Sequence, residues 1–203
     1  MRTILFFGDS NTYGYDPRSF FGDRFPREVR WTSRVSGTLE KEWTIFSDGM
    51  NGREIPSGKY ELRHVFSLLQ EGIRGHRLDW FTVMLGTNDL FSTYPDFSAA
   101  LVSEKMARFL NRIREAAPEL SVLLIAPPLI GRENTESLEE QLLYRESLQL
   151  SILYKQIAMQ RGHSFVNTAE WNIPMTFDGI HFSEEGHRIF AEHMTEVLSS
   201  LKQ

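Results

Sequence analysis

The strongest constraint in this sequence is an alternation. Five short apolar runs, at residues 3–7, 43–47, 80–85, 121–126 and 164–167, are separated by longer stretches with helical periodicity. The runs span four to six residues and mostly lack polar alternation, as strands buried on both faces do. Residues 59–71 place Leu62, Val65, Phe66 and Leu69 on one helical face. Residues 98–117 do the same with Val102, Met106, Phe109, Leu110 and Ile113, and Pro118 follows the end. Two further helices are expected over 137–160 and 184–201, and an early one over 32–41, interrupted by Gly37. Strands alternating with helices demand right-handed crossovers, hence a parallel sheet covered on both faces. The expected architecture is α/β: a three-layer α/β/α fold around a five-stranded parallel sheet in the flavodoxin-like order 2-1-3-4-5.

A chain of 203 residues fits one domain, and no repeat, low-complexity tract or linker divides it, so 1–203 is read as a single unit. Zero cysteines exclude a disulfide scaffold, a zinc ribbon and a thiol nucleophile. A net charge of −5 lacks the basic footprint of a nucleic-acid binder and makes an anionic membrane surface an unsuitable partner. No stretch approaches the roughly 18 apolar residues of a membrane span. The run at the N-terminus is too short for a signal peptide. The expected setting is cytoplasmic.

In parallel sheets of this kind ligands bind beyond the carboxyl ends of the strands, where strand order reverses. The first strand is followed by Gly8-Asp9-Ser10-Asn11-Thr12-Tyr13-Gly14, the second by Asp48-Gly49-Met50-Asn51-Gly52-Arg53 and the third by Gly86-Thr87-Asn88-Asp89. In the expected order these three loops converge. A fourth segment, Asp178-Gly179-Ile180-His181-Phe182-Ser183, lies just before the last helix. A carboxylate three residues before an imidazole can sit beside it across one tight turn, fixing its tautomer and stabilising the imidazolium. A serine on a glycine-flanked strand-to-helix loop supplies a nucleophile. An oxyanion needs fixed donors, and the Ser10 N–H, the Gly52 N–H and the Asn88 carboxamide would provide three.

These four blocks resemble the SGNH hydrolases, also called the GDSL esterase/lipase family. Gly8-Asp9-Ser10 matches the first block, Gly52 the second, Gly86-Thr87-Asn88-Asp89 the third and Asp178-Gly179-Ile180-His181 the last, in the family's order and over nearly the whole chain. Asn11 stands where the family name has leucine. Arg30-Trp31-Thr32, Gly49-Met50-Asn51-Gly52-Arg53, residues 84–90 and Ala126-Pro127-Pro128 further resemble the arylesterase/acyltransferase-type branch. The resemblance implies a serine esterase with Ser10, Asp178 and His181 as triad and Ser10, Gly52 and Asn88 as oxyanion hole. It implies a small-molecule ester substrate whose small acyl group is hydrolysed or transferred to an alcohol, and no cofactor. Carbohydrate O-acetylesterase, thioesterase and lysophospholipase activities occur within the same chemistry.

Each residue has a plainer competitor. Serine also fills helix N-caps, Asn88 also forms turns, Asp89 also caps, and Gly49 rivals Gly52. Asp9 is expected to brace its loop. His64, His76, His163, His187 and His193 show no metal-ligand spacing, so no metal is expected. His187 is expected to be solvated and His193 packed. The aromatics Phe20, Phe21, Phe25 and Trp31 between Asp16 and Trp31 could pack on the sheet edge, wall the pocket or form a subunit contact, which leaves a homo-oligomer open. Pro127-Pro128 is expected to stiffen a pocket-side loop. A reading of another class is a flavodoxin-like flavin- or phosphate-binding module, with Ser10, Asn11 and Thr12 at a helix N-terminus. It leaves Asp178 and His181 without a task.

Overall fold

A computed structural model describes residues 1–201. Its five strands are β1 (Arg2–Gly8), β2 (Trp43–Gly49), β3 (Trp80–Met84), β4 (Ser121–Ala126) and β5 (Ser164–Asn167). All neighbouring pairs are parallel, and the order is β2-β1-β3-β4-β5, as the sequence predicts. The helices are α1 (Ser10–Tyr13), α2 (Trp31–Thr38), α3 (Lys59–Glu71), α4 (Thr87–Ser92), α5 (Ala99–Ala116), α6 (Leu138–Arg161) and α7 (Glu184–Ser200). A 3-10 turn, Thr168–Glu170, follows β5.

Strand β1 shows why the sheet is central. Ile4, Leu5, Phe6 and Phe7 are all buried, but on alternate faces. Leu5 and Phe7 join a core built with Val65 of α3, Val102, Met106 and Phe109 of α5, and Leu150 and Tyr154 of α6. Ile4 and Phe6 join a second core with Trp31 and Val35 of α2 and Phe190, Met194 and Leu198 of α7. Burying each such side chain is worth about 1.5–3 kcal/mol relative to leaving it exposed. This is the physical content of an apolar run without alternation: both faces are covered.

The edges differ from the sequence reading in small ways. Gly8, Asp48 and Gly49 continue their strands instead of opening loops, and β3 stops one residue short. Helix α2 ends at Thr38, three residues early, because the backbone turns at Leu39 to enter β2. Gly8 pairs with both Gly49 and Met84, so the carboxyl ends of β1, β2 and β3 lie level. The three polar loops therefore leave one rim of the sheet together. No helix among the described residues is long and apolar enough to cross a membrane.

Candidate active site

The single turn α1 presents Ser10. Asp9, not Ser10, is the N-cap: its carboxylate accepts the Asn11 N–H at 3.0 Å. The cap competitor for Ser10 thus fails, and the hydroxyl is free for other work. At the other end Gly14 adopts φ +82° and donates its N–H to the Ser10 carbonyl at 2.8 Å, closing the turn. Gly8 is equally constrained, because a Cβ there would lie 2.1 Å from the Thr12 hydroxyl oxygen. Burial pushes the Asp9 carboxyl up to about 6, against the opposing pull of the Asn11 N–H, His181 and Arg53. Asp9 braces this loop, as expected.

Asp178 and His181 meet across the turn that the spacing predicts. Gly179 has φ +69°, and its N–H reaches the Thr176 carbonyl at 3.1 Å. Asp178 Oδ1 accepts from the Ile180 N–H (2.9 Å), the His181 N–H (3.0 Å) and the Thr176 hydroxyl (2.8 Å). With that oxygen saturated, Oδ2 faces His181 Nδ1 at 2.7 Å. His181 Nε2 in turn lies 3.0 Å from Ser10 Oγ. Burial works to raise the Asp178 carboxyl, but the His181 backbone and ring, the Ile180 N–H and the Thr176 hydroxyl together hold it below the usual carboxylate range. An ionised Asp178 accepts a hydrogen bond from Nδ1–H and so holds that tautomer, which leaves the Nε2 lone pair for the serine hydroxyl. Such a chain can draw a proton off serine.

Helix α4 brings up the other side. Asn88, its second residue, donates one Nδ2 hydrogen to the Arg53 carbonyl at 3.1 Å. Asp89 does not cap the following segment. Its buried carboxylate accepts the Ile55 N–H, at 3.0 and 3.2 Å to its two oxygens, and pairs with Lys105 at 2.7 Å. Burial raises the Asp89 carboxyl despite Lys105 and the Ile55 N–H. The loop that carries Gly52 is thus held at Arg53 and at Ile55 by adjacent residues of α4. Gly52 sits at φ +70° with open space where a Cβ would stand, whereas a Cβ on Gly49 would lie 2.1 Å from the Tyr13 nitrogen. Gly49 is a packing glycine and Gly52 an exposed-backbone one.

Sequence gives Arg53 no role beyond its place in the segment Gly49-Met50-Asn51-Gly52-Arg53. Its buried guanidinium donates to the carbonyls of Gly8 (3.0 Å) and Asp48, pairs with the Asp48 carboxylate at 2.8 Å, and lies over the Phe7 ring. It ties together the ends of β1 and β2. Tyr15 has no sequence signal of its own: its N–H reaches the Ser10 carbonyl at 3.0 Å, and its ring edges against His181 with centroids 4.8 Å apart. Neither has a periodic or spacing signal. The cues are the branch-like segment that ends at Arg53 and the position of Tyr15 five residues after the serine.

The aromatic stretch divides. Phe25 and Trp31 are buried, while Phe20 and Phe21 are 94% and 85% exposed and pack only edge to face on each other. The order expected for the two histidines of α7 is reversed. His187 is buried between Phe25 and Phe182, and burial lowers it to about 3. His193 is partly exposed and stacked on Trp171. Among the described residues no group of three or more histidine or carboxylate side chains could hold a metal. A cavity of about 410 Å³, lined in part by Phe7, Met50, Gly52, Arg53 and His64, borders the Gly52 loop; Ser10 and His181 do not line it.

The GDSL-like lipase/acylhydrolase family model matches residues 6–189, nearly the whole chain. No curated protein sequence matches. Among solved structures, a carbohydrate acetylesterase from Sinorhizobium meliloti superposes with a TM-score of 0.80 at 24% identity, covering 99% of this chain and 100% of that one. An aryl esterase from M. smegmatis gives 0.80 at 23% identity with the same coverage. A second carbohydrate acetylesterase family member from Sinorhizobium meliloti gives 0.80 at 22%, covering 99% of each chain. At these identities the likeness shows the fold.

Proposed function

Because this chain belongs to the GDSL-like lipase/acylhydrolase family and is a carboxylic ester hydrolase, we propose that Ser10, His181 and Asp178 form the triad of a serine esterase working through an acyl-enzyme. The observation that carries this reading is the unbroken chain from Asp178 Oδ2 to His181 Nδ1, 2.7 Å, and from His181 Nε2 to Ser10 Oγ, 3.0 Å. Ser10 Oγ attacks the ester carbonyl carbon while His181 Nε2 takes its proton, and the Asp178 carboxylate stabilises the imidazolium. The oxyanion sits among the Ser10 N–H, the Gly52 N–H and the second Nδ2 hydrogen of Asn88. Collapse of the tetrahedral species breaks the ester C–O bond, and the leaving alcohol takes the proton from His181. Water then attacks the acyl-enzyme with His181 as base, releasing the carboxylic acid and restoring the serine hydroxyl.

The resemblance to the arylesterase branch favours small acyl groups on aryl or alkyl alcohols. A carbohydrate O-acetylesterase is the second reading. It draws on the cavity beside Gly52, where Glu54, Ser57, Glu61, His64 and Lys105 offer both donors and acceptors to hydroxyl groups. The flavin- or phosphate-binding alternative gives Asp178 and His181 nothing to do.

Fluorophosphonate treatment followed by peptide mass spectrometry should find one adduct, on the peptide containing Ser10. Ser10→Ala should fold and lose activity by several orders of magnitude. Label elsewhere, or an active Ser10→Ala protein, removes the assignment. Nitrophenyl esters of increasing acyl length, run beside acetylated sugars, separate the two substrate readings.

A further inference from the structure

The residue after the serine, where this chain departs from the family name, makes two side-chain hydrogen bonds to the segment that carries His181. Asn11 is 5% exposed. Its Oδ1 accepts the Phe182 N–H at 2.9 Å, and its Nδ2 donates to the Ile180 carbonyl at 3.0 Å. These are the residues on either side of His181. Its own backbone is fixed as well: the N–H goes to Asp9 Oδ1 at 3.0 Å, and the carbonyl accepts from Trp31 Nε1 at 2.9 Å. One carboxamide therefore grips the peptide flanks of His181 from a position covalently joined to Ser10.

We propose that Asn11 is a positioning residue that sets the Ser10–His181 separation, an inference resting on the serine-esterase reading above. The division of labour follows from where the hydrogen bonds lie. Asp178 orients His181 through contacts internal to its own turn, at residues 176, 178, 180 and 181. That turn cannot fix its own distance from a serine carried by another segment. Asn11 supplies a hydrogen-bonded link, beside the ring contact of Tyr15 on His181, and it does so without touching the imidazole. Leucine is close in size but has no group to meet the Ile180 carbonyl or the Phe182 N–H. Alanine leaves space in which water can meet both.

The test compares the full-length chain with Asn11→Leu and Asn11→Ala, using fluorophosphonate labelling rate, nitrophenyl acetate kinetics and thermal unfolding. Both variants should label Ser10 more slowly, roughly 10- to 100-fold for leucine and less for alanine, because small misplacements of reacting groups cost rates of this order. The kcat should fall by the same factor while KM stays within about threefold. The acidic limb of kcat/KM should stay in place, since Asp178 still holds His181. Alanine carries the same readouts if the leucine variant does not fold. Labelling rate and kcat per folded molecule close to wild type, with only the melting temperature lowered, would make Asn11 a structural residue and overturn the proposal. A displaced acidic limb would also overturn it, by showing that Asn11 acts through the Asp178–His181 pair. A wild-type protein that is not labelled at Ser10 would instead overturn the esterase reading itself.

Discussion

Asn88 has two amide hydrogens, and one is already committed to the Arg53 carbonyl. That bond aims the side chain and leaves the second hydrogen for the oxyanion role proposed above. Asn88→Ala should cost about 2.7–4 kcal/mol of transition-state stabilisation, a hundred- to thousandfold in kcat, with little change in KM. Asn88→Asp should be at least as damaging at neutral pH, because its carboxylate would face both the Arg53 carbonyl and the developing oxyanion. Steady-state kinetics of both variants with nitrophenyl acetate checks this; kcat within about threefold of wild type would leave only backbone donors. At this scale the sequence shows local chemistry best. Asp178 and His181 are three residues apart, so their pairing needs only one turn and can be read without a fold. Asn11 and Arg53 act through partners far away in sequence, at Ile180, Phe182 and Gly8, and no local pattern encodes such contacts.

The elements that carry the site are the ones periodicity cannot see. The five strands and the five longer helices follow from apolar runs and helical faces, but α1 has four residues and α4 six. Neither completes two turns, so neither can display an amphipathic stripe. Both are held by tertiary contacts: α1 by the Asp9 cap and close glycines, α4 by the Asn88 and Asp89 bonds to the loop after β2. Gly49 and Gly52 make the point testable, because sequence presents them as rivals and the structure gives them different tasks. Gly49→Ala would drive a Cβ against the Tyr13 nitrogen and the Thr12 carbonyl carbon, 2.1 and 2.5 Å away, forcing α1 and Ser10 to shift. Gly52→Ala meets no atom within 4 Å and bears only the strain of φ +70°, about 1–2 kcal/mol. Thermal unfolding should therefore show the larger loss at Gly49. Equal losses, or a larger one at Gly52, would mean that β2 and α1 are not packed as closely as this.

The whole molecule buries titratable groups with opposite responses to acid: the carboxyls of Asp9 and Asp89 are raised, and His187 is lowered. Asp9, raised from 3.8 to about 6, favours the protonated form when folded. Its contribution to stability is fully present below 3.8 and is lost as pH rises through about 6, a cost of about 3 kcal/mol at neutral pH. His187, lowered from 6.5 to about 3, favours the neutral form when folded. Its contribution is present above 6.5 and is lost as pH falls through about 3, with a limit near 5 kcal/mol. The carboxylates of Asp16, Asp48 and Asp178 lie below their ordinary value of 3.8, so what they contribute is present above 3.8 and is lost as pH falls below it. Between about pH 6 and 4 the Asp9 and His187 slopes therefore oppose each other, each limited to about 1.4 kcal/mol per pH unit. Removing one should uncover the other. Asp9→Asn, nearly isosteric, should gain most over wild type at pH 7 and lose that advantage as pH falls to 4, leaving the His187 slope opposed only by the raised Asp89 carboxyl. His187→Gln, which keeps an acceptor for the Trp31 N–H, should instead gain relative to wild type on acidification. Urea unfolding at pH 7, 6, 5 and 4 reads both differences directly. Profiles for the two variants that run parallel to wild type would show that neither group changes protonation on unfolding in this range.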